Sequence, residues 1–240
     1  MSAVRTMVVL PTYNEADNLP DMVAALLSLG MDGLSILVVD DNSPDGTGEL
    51  AEQLKARYPE SVDVIHRPGK MGLGTAYITG FRYALEHGAE RIVQMDADFS
   101  HDPACLPVFM RLMDEHGYDV VIGSRYVPGG KLDAEWGWWR RFLSGFGNRY
   151  AALITGLRLR DVTAGFKCFA REALAGLDLD RIASNGYAFQ IEVNYACHRA
   201  GYRMHEEPIT FEDRVLGRSK MSSKIILEAM WRVWQMRWRY

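Results

Sequence analysis

Apolar and polar positions alternate along the first half of the chain in blocks of two lengths. The short blocks are "TMVVL" (6–10), "SILVVDD" (35–41), "VDVIHR" (62–67), "RIVQMD" (91–96) and "DVVIGSR" (119–125). Their length and β-branched content predict buried strands. Between them lie stretches with apolar residues at helical spacing. "ADNLPDMVAALLSLG" is stopped by Gly30, and "GLGTAYITGFRYALEHG" ends at Gly88. "GTGELAEQLKARY" has an acidic start and a basic end, which suits the helix dipole. Asp102 reads as an N-cap with Pro103 at the first helical position. Strand, helix, strand, helix predicts an α/β fold, a Rossmann-like, mainly parallel sheet flanked by helices. Ligands of such folds bind at the carboxyl ends of the strands. The polar clusters "PTYNE", "DDNSPDGT", "MDADFS" and "GSRY" fall at those ends.

The regularity weakens after residue 125. "VPGG" is a turn, and residues 135–156 read as an amphipathic helix rich in aromatic and basic residues. "DVTAGFKCF" returns towards the sheet, "GYAFQIEVNYACHRAG" is a helix and "RMHEEPITF" is extended. A polar loop, "EDRVLGRSKMS", precedes a last amphipathic helix within 221–240. With no repeat, linker or low-complexity tract, residues 1–240 are expected to form a single catalytic domain.

Composition narrows the function classes. The chain has 240 residues, 48% hydrophobic and 24% charged, with a net charge of -4. Such mild acidity argues against a dedicated nucleic-acid binder. Its three cysteines are far apart and are expected to be free core thiols in a reducing compartment. The N-terminus runs straight into a strand, so no signal peptide is expected. No stretch reaches the roughly 20 apolar residues needed to span a bilayer, so a membrane role would be peripheral.

The chemistry gathers at the strand ends. Asp96 and Asp98, separated by Ala97, follow an apolar run. On an extended backbone they would share one side and repel unless a cation joined them. Hard oxygen ligands suit Mg²⁺ or Mn²⁺. A solvated turn with a helix cap is the plainer alternative. In "VVDDNSPDGT" the turn chemistry accounts for residues 42–47 and leaves Asp41 for a ribose hydroxyl or a base. Tyr13 is placed to stack on a base, while Glu15 also suits a helix start. The glycines of "GKMGLG" offer backbone N–H groups to a phosphate. Arg125 ends the fifth strand, and Arg214, Arg218 and Lys220 crowd one loop. That loop is either a solvated surface or a source of charge for a leaving diphosphate. The segments around Trp136, Trp138, Trp139, Arg140, Arg141, Phe142 and Phe146, and around Trp231, Trp234, Trp238 and Tyr240, combine aromatics with arginines. They suit a membrane interface, or else packing between themselves.

Together "VVLPTYNEADNL", "VVDDNSPDGT", "GLGTAYITGF", "MDADFSHDP", "GSRYVPGG", "TAGFKCF", "SNGYAFQIE" and "GRSKMS" resemble family-two glycosyltransferases with the GT-A fold. They most resemble the polyprenol (dolichol) phosphate mannose synthases. The resemblance implies a GDP-mannose donor, a polyprenyl or dolichyl phosphate acceptor and a divalent metal, Mg²⁺ or Mn²⁺. It implies that Pro11, Tyr13, Glu15, Val39 and Asp41 line the nucleotide pocket. Asp96, Ala97 and Asp98 would hold metal and diphosphate, with Asp98 the main ligand. Arg125, Arg140 and Ser144 would take the acceptor phosphate, and Arg214 and Lys220 would close over the donor. Archaeal-type relatives carry Gln where this chain has Ser100. Many relatives carry C-terminal transmembrane helices, so retention here would fall to amphipathic helices or to an anchoring subunit or domain at the cytoplasmic face. The expected product is an inverted, β-linked lipid phosphate mannose. A UDP-glucose-dependent glucosyltransferase on the same scaffold, a non-catalytic membrane adaptor and a nucleotidyltransferase are the competing readings.

Overall fold

The computed structural model describes residues 4–133, 135–211 and 223–240. Strands β1 (Thr6–Thr12), β2 (Leu34–Asp40), β3 (Val62–His66), β4 (Arg91–Gln94) and β5 (Val120–Ser124) come with helices α1 (Leu19–Ser28), α2 (Thr47–Arg57), α3 (Leu73–Glu86) and α4 (Leu106–His116) between them. After the short β6 (Lys131–Leu132) come α5 (Trp138–Thr155), β7 (Lys167–Ala170), α6 (Arg171–Ala175), α7 (Tyr187–Arg199), β8 (Met204–Pro208), β9 (Thr210–Phe211) and α8 (Ser223–Arg239). Seven strands form one sheet in the order β3-β2-β1-β4-β7-β5-β8, and β6 pairs with β9 in a separate ribbon. Only β7 runs antiparallel to its neighbours in the large sheet. This is the mainly parallel, helix-flanked sheet that the alternation predicts.

Strand order reverses between β1 and β4, which opens a crevice at their carboxyl ends. Both faces of the sheet are dry. Val9, Tyr77, Phe81, Phe169 and Phe189 pack on one side, and Val8, Leu10, Leu26, Phe109 and Phe166 on the other. α3 lies so close to β1 that a Cβ on Gly80 would come within 2.3 Å of Val9 Cγ1. A third cluster joins Ala151 and Ile154 of α5, Ile191 and Tyr195 of α7, and Val233 and Met236 of α8.

Three boundaries differ from the sequence reading. β4 ends at Gln94, so Asp96 and Asp98 stand on a bent segment rather than on an extended strand. The apolar Met95 prolongs the run, and its long N–H bond to Val9 O, at 3.4 Å, is where the pairing with β1 stops. α5 starts at Trp138 rather than at residue 135, because Gly137 leaves the helical conformation just before it. "DVTAGFKCF" does return to the sheet, but only its last residues pair.

Candidate active site

The ends of β1, β2 and β4 each turn through a left-handed residue that is not glycine. These are Asn14 (φ 61), Asn42 (φ 55) and Phe99 (φ 60). Asparagine tolerates this region, whereas a phenylalanine there is strained. Such strain persists where surrounding bonds over-determine the backbone, and they do here. Asn14 N–H donates to Ser43 Oγ, Glu15 N–H to Thr47 Oγ1 and Ala16 N–H to Asp45. The β1 and β2 ends are thereby stitched together. Asp40 accepts from Thr12 Oγ1 at 3.0 Å and from Ser43 Oγ at 2.6 Å.

Asp41 is buried and faces Arg67 across 2.8 Å, and its other oxygen accepts from the Met71 and Gly72 N–H groups at 3.1 Å. Arg67 also donates to Thr75 Oγ1 at 2.6 Å. Asp41 therefore anchors the glycine-rich loop that follows β3, a role the turn chemistry of its neighbours does not reveal. Lys70 of that loop lies over the Tyr13 ring, 3.7 Å from its centroid. Pro11 is half-buried at the β1 end. The Val39 side chain is fully enclosed in the core, so only its backbone is left to meet a nucleotide.

Asp96 and Asp98 are held from three directions. The Tyr77 hydroxyl of α3 donates to Asp96 Oδ1 at 2.7 Å. Burial, then the Asp96 charge, pushes the Tyr77 pKa well above its ordinary value, so the phenol keeps its proton. The Asp96 N–H donates to His101 Nδ1 at 3.1 Å, which leaves the ring proton on Nε2. Burial pushes the His101 pKa down, so the imidazole is a neutral prop. Ser100 donates to Asp98 Oδ1 through its N–H and, at 2.6 Å, through its hydroxyl. Ala97, between the two carboxylates, is buried.

Among the described residues no three His, Cys, Asp or Glu side chains surround a common point. Asp96 and Asp98 nonetheless fit a hard divalent cation, because Mg²⁺ and its like take one or two carboxylates and complete their shell with substrate oxygens. The space beside Asp96 is kept open. A Cβ on Gly165 would stand 3.0 Å from His101 Cε1 and 3.7 Å from Asp96 Oδ2.

Beyond β4 lies the segment 161–166, which the reversed β7 brings to the same edge. Arg125 grips Asp161 through Nε and Nη2 at 2.7 Å each, and Thr163 Oγ1 at 2.9 Å. Burial alone would raise the Asp161 pKa, but the Arg125 charge and its hydrogen bonds outweigh that and hold it below the usual carboxylate value. Beneath the segment, the fully buried Lys167 donates to Ala164 O at 2.6 Å and to Gln190 Oε1 at 2.5 Å. Gln94 Nε2 of β4 meets the same Gln190 oxygen and Gly165 O. Burial pushes the Lys167 pKa down to about 7. Arg140 lies 3.9 Å over the Trp136 ring, and Ser144 stands one turn further along α5.

The structure thus brings the β1, β2 and β4 residues to one crevice and sets Arg125 two strands away in the sheet order. Arg214, Arg218 and Lys220 lie outside the described residues. Tyr77, His101, Asp161 and Lys167 were not singled out from the sequence. Tyr77 and Lys167 sit in recognisable motifs, but nothing in the pattern says that they point at carboxylates or into the core.

An α/β sheet with acidic strand ends around a switch-point crevice is the arrangement of a nucleotide-sugar transferase. The chain belongs to glycosyl transferase family 2, whose model matches residues 7–177. It is 45% identical over 237 residues to polyprenol monophosphomannose synthase of Mycolicibacterium smegmatis, covering 98% of this chain and 88% of that one. It is also 45% identical over 227 residues to undecaprenyl-phosphate mannosyltransferase of Micrococcus luteus, covering 95% and 91%. Among solved structures, mannosyltransferase PcManGT from Pyrobaculum calidifontis, in complex with GDP-Man and Mn²⁺, superposes with a TM-score of 0.59 at 19% identity. That match covers 90% of this chain and 58% of the other, and it speaks to the fold alone.

Proposed function

We propose that this protein transfers mannose from GDP-mannose to a polyprenyl or dolichyl phosphate, with inversion, to give a polyprenyl phosphate β-mannose. The observation that carries this reading is the 45% identity, over nearly the whole chain, to two proteins named for mannosyl transfer to lipid phosphates. The strand-end geometry supports it.

In this reading the β1 and β2 ends, with Tyr13, Glu15 and the Asp41–Arg67 pair, seat the nucleotide. Asp96 and Asp98 hold Mg²⁺ or Mn²⁺, which when bound supplies positive charge to the donor diphosphate. Tyr77, His101 and Ser100 fix the carboxylates beforehand, so little reorganisation is left for the reaction. The acceptor needs no dedicated base, because a phosphate monoester with a second pKa of about 6 is already largely a dianion at neutral pH. What the protein must do is align that anion with the anomeric carbon. Asp161 and Thr163 set the plane of the Arg125 guanidinium for this task, and Arg140 and Ser144 stand on α5 nearby. Arg214 and Lys220 are assigned to the departing nucleotide by motif.

The acceptor is a lipid, so the site has to meet a membrane. Trp139, Phe142, Phe146 and Tyr150 stack in sequence along α5, and Trp234 of α8 donates its indole N–H to Tyr150 at 3.0 Å. Trp138 (77% exposed), Leu153 (82%) and Trp238 (75%) stand out towards solvent. Exposed aromatics beside Arg140, Arg141, Arg237 and Arg239 fit the headgroup region of an anionic bilayer. Among the described residues no helix is long and apolar enough to cross a membrane. We place the protein peripherally at the cytoplasmic face, held by α5 and α8 with or without an anchoring partner.

The test is a radiolabelled donor assay with extracted polyprenyl phosphate, run with and without a chelator and with UDP-glucose in parallel. Organic-extractable label from GDP-mannose that disappears with chelator is expected. Label from UDP-glucose alone would change the sugar, and label from neither donor would end the reading.

A further inference from the structure

Tyr126 follows Arg125 at the end of β5, in a motif whose arginine draws all the attention. Its hydroxyl is shut off from water and has no well-formed hydrogen bond. Ser144 and Asn148 of α5 approach the phenolic oxygen as donors, which leaves its own O–H without an acceptor. Asn148 has no acceptor to spare for that O–H. Its Oδ1 accepts from the N–H and the hydroxyl of Thr163 at 3.2 Å each, and its Nδ2 donates to Ser144 O at 3.1 Å. Burial, the largest influence, pushes the Tyr126 pKa up, so the group is a proton donor at neutral pH. The Arg125 guanidinium stands 5.6 Å from the ring centroid.

The adjoining wall repeats the pattern. Trp136 is buried and its indole N–H also lacks an acceptor. Arg140 stacks on that indole at 3.9 Å. Its ring meets Phe211 edge-on at 5.9 Å, and Phe211 in turn carries Arg125 at 5.1 Å. Two buried donors without acceptors therefore share a wall with two guanidinium groups. Buried polar groups left unpaired in a native fold call for an explanation, and a ligand that completes them is one. Here the missing partner has to be an acceptor of hydrogen bonds, and the two guanidinium groups beside it, Arg125 already paired with Asp161, favour an anionic one.

Resting on the proposed function, we infer that the Tyr126 hydroxyl is a further acceptor-binding group, donating to the phosphomonoester of the prenyl phosphate between Arg125 and Ser144. No water reaches the hydroxyl in the structure, so arrival of the phosphate entails a local shift of this wall. The donor side does not depend on Tyr126.

The experiment compares the full chain with Tyr126→Phe, which deletes one oxygen and keeps the ring. Transfer kinetics with farnesyl phosphate and GDP-mannose are read together with thermal shifts produced by farnesyl phosphate, inorganic phosphate and farnesol. The acceptor KM should rise roughly tenfold, as for loss of one hydrogen bond to a charged group, with the GDP-mannose KM unchanged. Without ligand the variant should melt no lower than the parent, since an unpaired hydroxyl has been removed. Its thermal shift with farnesyl phosphate should shrink. Equal acceptor KM and equal shifts in the two proteins would overturn the inference, as would a variant that melts several degrees lower without ligand. Inorganic phosphate matching farnesyl phosphate would overturn the assignment to a prenyl ester. If the parent transfers nothing from GDP-mannose, the proposed function fails, and the difference in thermal shifts still decides the role of Tyr126.

Discussion

The two sides of the crevice differ in how far their polar atoms are already paired. At the β1, β2 and β4 ends the carboxylates of Asp40, Asp41, Asp96 and Asp98 each accept from neighbouring protein groups. Left-handed residues follow the three strands and hold the turns. The side built from the β5 end and α5 has one rigid clamp, Arg125 on Asp161, beside donors that have no acceptor and aromatics that have no cover. Under the proposed function, a small, rigid nucleotide sugar would be met by a finished surface, and a lipid phosphate by one that its own head group and membrane complete.

The largest test of this contrast is Asp161→Ala. It would leave the buried Arg125 guanidinium without its counter-charge, and breaking such a pair typically costs about 3–5 kcal/mol. Denaturant unfolding should show that loss, and Arg125→Met in the same chain should restore part of it. Full stability in the single variant would mean that the clamp is not what holds the acceptor side. Next comes Asp98→Ala, expected to lower transfer about a hundredfold or more if its carboxylate helps neutralise the donor diphosphate. Unfolding should shift much less, and transfer at the parent rate would remove the metal assignment.

On the membrane side, Trp138→Ala with Phe142→Ala should weaken binding to anionic vesicles roughly tenfold or more, from the apolar area withdrawn from the interface. Transfer to a short, soluble prenyl phosphate should stay near the parent rate. Equal loss on soluble and vesicle-borne acceptors would place these aromatics in the fold rather than at a bilayer.

The smallest effect concerns Lys167. Its folded pKa, about 7, lies below the ordinary 10.5. The unfolded chain therefore binds a proton that the folded one sheds between about pH 7 and 10. Stability from this group rises with pH across that window, by at most about 1.4 kcal/mol per pH unit. The groups facing the amine are Cys197, Asp161, Asp96 and Arg125. Lys167→Met should flatten the rise between pH 7 and 8.5. Identical slopes in parent and variant would show that the amine stays charged, hydrogen-bonded to Ala164 and Gln190.

The sheet and its crevice were legible in the sequence because a parallel α/β sheet writes itself as alternating apolar blocks with polar ends. The polar clusters at the strand ends were legible for the same reason. What the pattern could not carry was direction. "KCFA" reads as a strand either way round, so the reversal of β7 came only with the structure. Met95 hid the end of β4, since an apolar residue prolongs a run whether or not its backbone is paired. Lys167 does not declare itself in the sequence because a lysine normally marks a surface, and its place between β4 and β5 overrides that expectation. Tyr126 does not stand out in the sequence because a hydroxyl without an acceptor is a property of three-dimensional surroundings. Helices α5 and α8 were visible as amphipathic, but their exposed aromatic stacking became evident only once both were packed.

A strand inserted head to tail among parallel ones begins where its neighbours finish. The reversed β7, reached through α5, therefore brings residues 161–166 to the rim where β4 and β5 end. Asp161, Val162, Ala164 and Phe166 are buried there, so that short stretch is tied to the seven-strand platform. A single inverted strand thus lets one short run of residues belong at once to the core and to the edge of the crevice.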